Sequence, residues 1–308
     1  MGTPDFALFS LKALVQAGEE IVGVVTQPDK PRGRGYVLTP PPVKVYAEEK
    51  GIPVYQPKTL RDEAFSTLLS EIDPALIVVV AFGKILPPSV LEYPTYGCIN
   101  VHGSLLPEYR GAAPMQRAII DGKKVTGVTT MFMAEGLDTG DMLLRDEVEI
   151  LPEDNFEDIH DKLGACGARL LLATIAELKN GTLTRTVQED ALATYAAKIE
   201  KADCRLNFAD TAEHLHDRIR GLSPIPLAFT TTPDGKLLKV VRARVSEKAR
   251  QHAPAGTVLS LEGGCITVAC GEGAVELWEV LPEGKGKMSA AAYINGRRLQ
   301  VGDLLGKA

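Results

Sequence analysis

Asn100 and His102 stand two residues apart in the run Gly97-Cys98-Ile99-Asn100-Val101-His102-Gly103. The run reads as a short buried strand that breaks at Gly103. On a strand, positions i and i+2 share a face. An amide beside an imidazole can polarise a carbonyl and move a proton. Gly103 marks the strand's carboxyl end, where open α/β sheets hold their ligands. The triplet alone fits a satisfied core histidine and a turn-tying asparagine better than a site. The Gly- and Pro-punctuated stretch behind it, Ser104 to Pro114, shifts the balance, because rigid loops at strand ends carry function. Farther on, Gly136-Leu137-Asp138-Thr139-Gly140-Asp141-Met142 is an acidic loop between two apolar runs. A carboxylate there could orient the imidazole in a proton-accepting tautomer.

The pieces N-x-H-x-S-L-L-P, Y-R-G-A-A-P and G-L-D-T-G-D-M resemble the formyltransferase family that uses 10-formyltetrahydrofolate. Gly2-Thr3-Pro4-Asp5-Phe6 and Thr26-Gln27-Pro28-Asp29-Lys30-Pro31-Arg32-Gly33-Arg34-Gly35 narrow the resemblance to the branch that acts on aminoacylated tRNA. It runs over nearly the whole chain. It implies transfer of the formyl group of 10-formyltetrahydrofolate, as co-substrate, to the α-amine of methionine esterified to initiator tRNA, without a metal. Asn100 would donate to the developing oxyanion. His102 would carry the amine's proton toward the leaving folate nitrogen or stabilise the oxyanion as an imidazolium, with Asp138 supporting it. Ser104, Leu105, Leu106 and Pro107 would approach the folate with backbone groups. Lys30, Arg32 and Arg34 would form the tRNA-contacting insertion, Arg34 falling at the family's key arginine. Arg242, Arg244, Lys285 and Lys287, in the C-terminal part, would join it along the acceptor stem.

Composition bounds these expectations. The chain has 308 residues, 45% apolar and 24% charged, with net charge −6. It is large enough for two ordinary domains with a sizeable core. The overall charge argues against a generic nucleic-acid binder. Residues 1–200 hold 19 basic against 28 acidic side chains (−9) and residues 201–308 hold 15 against 12 (+3), so a basic smaller domain suits a polyanionic partner. Ordinary surface fluctuation gives a balance of that size too. No apolar run approaches a membrane span, and no basic segment precedes an apolar stretch and a cleavage site. A cytoplasmic monomer is expected, its five scattered cysteines reduced. Cys98 shares the strand face of Asn100 but has no evident base and reads as structural. The five histidines have no ligand spacing.

The elements that must position these residues alternate between strand and helix. Helices are expected over 7–17, 43–50, 61–72, 115–121 and 155–180, and strands over 21–26, 51–55, 75–80, 81–86, 97–103, 125–132 and 142–150. That alternation predicts an α/β domain over 1–180 with a doubly wound, mostly parallel, Rossmann-like sheet. The loop 27–42 is long and aperiodic, which marks function or disorder. The Gly2–Phe6 loop should follow a strand, yet Met1 alone precedes it, and the resemblance places a short apolar strand there. A start lacking that strand would leave a groove beside 21–26. A polar linker is expected over 181–204. A helix near 211–220 and short strands at 237–244, 256–261, 265–270 and 275–280 predict a small OB-like β-barrel domain over 205–308. Three other readings stay open: a formyltransferase for a small amine, a hydrolase that deformylates the folate, and a non-catalytic RNA-binding module.

Overall fold

The computed structural model describes residues 1–32, 37–247, 253–296 and 298–306. It divides into two compact units, Met1–Gly111 with Val125–Glu149 and His160–Ala196, and Ala112–Lys124 with Ile150–Ile159 and Ala197–Ala308. Residues 181–196 belong to the first unit, and the second draws two segments from inside the first 160 residues.

In the first unit the chain runs α1 (Asp5–Gln16), β1 (Val24–Val25), β2 (Lys30–Arg32), β3 (Val37–Thr39), α2 (Pro42–Glu49), β4 (Val54–Tyr55), α3 (Glu63–Ile72), β5 (Ile77–Val79), α4 (Pro88–Leu91), β6 (Cys98–His102) and β7 (Arg110–Gly111). After α5 (Pro114–Ile120), which belongs to the second unit, come β8 (Val125–Phe132), β9 (Met142–Glu149), α6 (Phe156–Asn180) and β10 (Tyr195–Ala196). The helices form for local reasons. Asp62 caps α3 by accepting from the Phe65 N–H at 3.0 Å, and Pro opens α2, α4 and α5, where a missing N–H costs nothing. Ile159, Leu163, Cys166, Leu171 and Ile175 recur at helical spacing and form the buried stripe of α6.

β1 pairs parallel with β4, and β5 pairs parallel with β6, while β8 and β9 add antiparallel strands in the order β5-β6-β8-β9. Met1 and Gly2 lie between the two groups. The Gly2 N–H donates to the Val25 carbonyl at 3.0 Å and the Val80 N–H to the Met1 carbonyl at 2.9 Å. An apolar cavity of about 150 Å³ lies there, between residues 21–25 and 76–80, lined by Leu11, Leu14, Phe65, Leu69 and Ile77. Burial pushes the Met1 ammonium, which donates to the Val78 carbonyl at 2.6 Å, down to about 6. Two local expectations are corrected. Within residues 27–42, β2 pairs antiparallel with β3, Lys30 opposite Thr39. Residues 81–86 form no strand, because Ala81 turns into the left-handed region at φ 46°.

In the second unit, α7 (Ala212–Gly221) precedes β11 (Ala228–Thr231), β12 (Leu237–Val245), β13 (Val258–Ser260), β14 (Ile266–Ala269), β15 (Ala274–Pro282), β16 (Met288–Ser289) and α8 (Ala290–Asn295). The strands make a curled antiparallel sheet ordered β11-β12-β15-β14-β13, with β16 on β15. Its path is open among the described residues, a half-barrel where a barrel is expected. Its core holds Leu215, Ile219, Leu238, Val240, Val258, Ile266, Leu277 and Val280, with Ile120 of α5 packed into it. A Cβ on Gly221 would stand 2.8 Å from Ile120 Cγ1, so this glycine lets α5 and α7 meet closely. No helix is long and apolar enough to cross a membrane among the described residues.

Candidate active site

β6 is buried along its whole length and held on both sides. Val79 of β5 stands opposite Asn100, and Met131 and Thr129 of β8 stand opposite Asn100 and His102. A strand with two partners has a fixed register, and alternation puts Cys98, Asn100 and His102 on one face. Asn100 is 9% exposed and His102 6%. Among the described residues no hydrogen bond engages the Asn100 amide. His102 Nε2 lies 3.0 Å from the Tyr109 carbonyl. A carbonyl only accepts, so Nε2 donates and carries hydrogen.

His102 Nδ1 then faces Asp138, with Oδ2 at 3.7 Å, too long for a hydrogen bond. The same Oδ2 accepts from the Gly111 N–H at 2.8 Å. Asp138, and not Asp141, is thus the loop carboxylate beside the imidazole. Both residues against the ring hold rare backbone conformations, Tyr109 at φ 59° and Asp138 at φ 52°. Gly140 is required two residues on, because a Cβ there would fall on the Phe132 carbonyl.

A third layer lies in a stretch the sequence reads as linker. Gln188 Nε2 donates to the carbonyls of Asp138 and Gly140, each at 2.8 Å. Its Oε1 accepts from Arg110 Nε at 3.0 Å, and Arg110 Nη2 donates to Asp190 at 2.8 Å. No local motif marks Gln188; its neighbours Leu183, Val187 and Leu192 show no periodicity.

The other candidates divide. In Ser104–Pro107 the backbone is largely engaged within the protein. Thr129 Oγ1 donates to the Ser104 carbonyl at 2.8 Å and accepts from the Leu106 N–H at 3.0 Å. The Leu105, Leu106 and Pro107 carbonyls accept from the Glu108 N–H, Arg145 and the Thr194 N–H. These hydrogen bonds hold the turn's shape. Lys30 donates to Gln27 Oε1 at 2.7 Å and Arg32 ends β2. Arg34 lies outside the described residues. In the second unit Arg242 and Arg244 both reach Glu153 Oε2, at 3.1 and 3.4 Å. Burial works against the Glu153 charge, but the Arg242 hydrogen bond and the two guanidinium charges hold its carboxyl below the usual range. Lys287 pairs with Glu279 at 3.4 Å, and Lys285 is exposed. Cys98 is no nucleophile: burial pushes its thiol up to about 12, and Sγ contacts the Val90 carbonyl. Among the described residues no His, Cys, Asp and Glu side chains cluster as a metal site would need.

An amide, an imidazole and a carboxylate are thus gathered at the end of a central strand. Residues 1–175 match the family described as formyl transferase, and residues 198–298 match the formyl transferase C-terminal domain. The chain belongs to the formyltransferase family. Among curated relatives, the methionyl-tRNA formyltransferase of Geobacter metallireducens is 45% identical over 306 residues, covering 99% of this chain and 97% of its own. That of Bacillus licheniformis is 47% identical over 307 residues, covering 99% and 96%. Among solved structures, the sugar 3N-formyl transferase WlaRD, in the presence of dTDP and 5-N-formyl-THF, aligns with a TM-score of 0.65 at 17% identity over 92% of this chain and 96% of that one. HypX from Aquifex aeolicus, in complex with tetrahydrofolic acid, aligns with a TM-score of 0.63 at 17% identity over 90% of this chain, which spans 47% of HypX. At such identities the two structures speak to the fold.

Proposed function

We propose that this chain transfers the formyl group of 10-formyltetrahydrofolate to the α-amine of methionyl initiator tRNA, acting as a cytoplasmic monomer in translation initiation. The observation that carries the reading is the Asn100 amide. It is buried, has no hydrogen-bond partner among the described residues, and shares a strand face with a histidine held between a carbonyl and a carboxylate.

The amine nitrogen attacks the formyl carbon, and the formyl oxygen gains negative charge. Asn100 donates to that oxygen; in a water-poor site one such donor contributes about 10²–10³ in rate. The bond from the formyl carbon to the folate nitrogen then breaks, and the amine's surplus proton moves to that nitrogen. Nδ1 is the ring atom open to that proton, because Nε2 already holds its own hydrogen against Tyr109. A proton on Nδ1 stands beside the Asp138 carboxylate, which stabilises the imidazolium without accepting the proton. Ser104–Pro107 would shape the folate side of the cleft. Lys30, Arg32, Arg34, Arg242, Arg244, Lys285 and Lys287 would hold phosphates of the tRNA, with Arg34 nearest the reacting amine. Residues 1–180 would be the catalytic part and 205–308 the RNA-holding part.

Charged initiator tRNA is incubated with the protein, with and without 10-formyltetrahydrofolate. Formyl-methionine on the tRNA in the complete mixture alone is expected. Folate deformylated at the same rate with and without charged tRNA would overturn the proposal in favour of a hydrolase.

A further inference from the structure

We infer that Gln188, anchored by Arg110 and Asp190, is a positioning residue that holds the Asp138 loop against His102; this rests on the transfer reading above.

The orientation of the Gln188 amide follows from its partners. Arg110 has donors and no acceptor, so the amide oxygen must face it, leaving both amide hydrogens for the two loop carbonyls, which only accept. The amide oxygen and both amide hydrogens have partners, and Gln188 is 7% exposed. The two carbonyls belong to the residues on either side of Thr139. Fixing both fixes the backbone that carries Asp138 in its left-handed conformation, which non-glycine residues hold only when their surroundings impose it. Arg110 is 2% exposed, while its partner Asp190 is 84% exposed. The guanidinium is therefore immobile, with its charge answered at the protein surface.

The network also closes on the site from the other side. Arg110 lies between Tyr109, whose carbonyl takes the His102 Nε2 hydrogen, and Gly111, whose N–H holds Asp138 Oδ2. Three consecutive residues thus touch the imidazole, the glutamine and the carboxylate. The 3.7 Å separation of Nδ1 and Oδ2 is set by these contacts and not by a bond between the two groups. Misplacement by an ångström at such a point costs about 100-fold in rate.

The test is Gln188→Glu. The side chain keeps its shape and an oxygen for Arg110, but it presents a carboxylate where two donors stood. We expect kcat to fall about 30- to 100-fold, with KM for folate and tRNA unchanged within about twofold, and the pH profile of kcat to shift. In an Asp138→Ala background the same change should have almost no further effect, because the positioned group is gone. A purely structural role predicts equal fold-losses in both backgrounds. Should Gln188→Glu fold poorly, Asp190→Asn at the surface replaces it, with an expected kcat loss of about two- to fivefold that also vanishes without Asp138. Wild-type kcat and pH profile in these variants, or additivity with Asp138→Ala, overturns the inference. A wild-type protein that fails to formylate charged tRNA overturns the transfer reading instead.

Discussion

Asn100 and His102 stand on a strand clasped by two neighbours, whereas Asp138 stands on a loop whose shape is imposed from fifty residues away. The strand positions its side chains by register, a property of its own apolar run and its partners'. The loop positions its carboxylate through a glycine, a left-handed residue and a distant glutamine. Strand residues should therefore tolerate changes around them and fail when they themselves change. The loop residue should be sensitive to groups that touch no substrate.

The sharpest break is His102→Ala, which removes the proposed proton carrier. Turnover should fall about 10³-fold with KM little changed, as measured by steady-state formylation of charged tRNA. Asn100→Ala should follow, with a loss of about 10²-fold in kcat and no change in thermal midpoint, since no internal hydrogen bond is broken. Equal losses in KM and kcat would show that Asn100 binds rather than stabilises charge. Gly140→Ala probes the loop side: the new Cβ meets the Phe132 carbonyl and should cost about 1–3 kcal/mol by urea unfolding, together with turnover.

A smaller effect separates the second unit from both. Arg242→Ala with Arg244→Ala should weaken tRNA binding, lower the slope of log affinity against log salt by about two, and leave folate binding alone. A slope unchanged in the double variant would leave those arginines paired to Glu153 and without a phosphate role. The smallest effect is one of pH. Burial raises the thiols of Cys98 and Cys270 to about 12 and Cys166 to about 11, against 9.0 ordinarily. The unfolded chain loses these protons first, so stability is fully present below about pH 9 and falls as pH rises from there toward 11–12. Urea midpoints at pH 8 and 10.5 should show the fall, and Cys98→Ala should shallow it.

What the sequence disclosed follows the same division. The Cys98–His102 strand, the α6 helix and the acidic loop were legible because each has a local signature: an apolar run, a 3.6-residue recurrence, a glycine pair around a carboxylate. Gln188 was not, because a polar residue in an aperiodic stretch looks the same whether it faces water or clamps a loop. The pairing of β2 with β3 and the open edge of the second unit's sheet also depend on contacts that no short window contains. The packing of α5 against α7 is of the same kind, joining segments far apart in the chain.

That pairing of α5 with α7 bears on the order in which the chain can fold as it is made. α5 leaves the ribosome with Ile119 and Ile120 ready for burial, but α7 follows roughly ninety residues later, a wait of about 5–20 s at usual rates of synthesis. For that interval the helix is an uncovered apolar surface inside a half-made protein. Nascent chains stalled after α5 has left the ribosome and before α7 is made should bind a hydrophobic dye or a chaperone there, and Ile119→Ser should weaken that binding before the second unit exists to be destabilised.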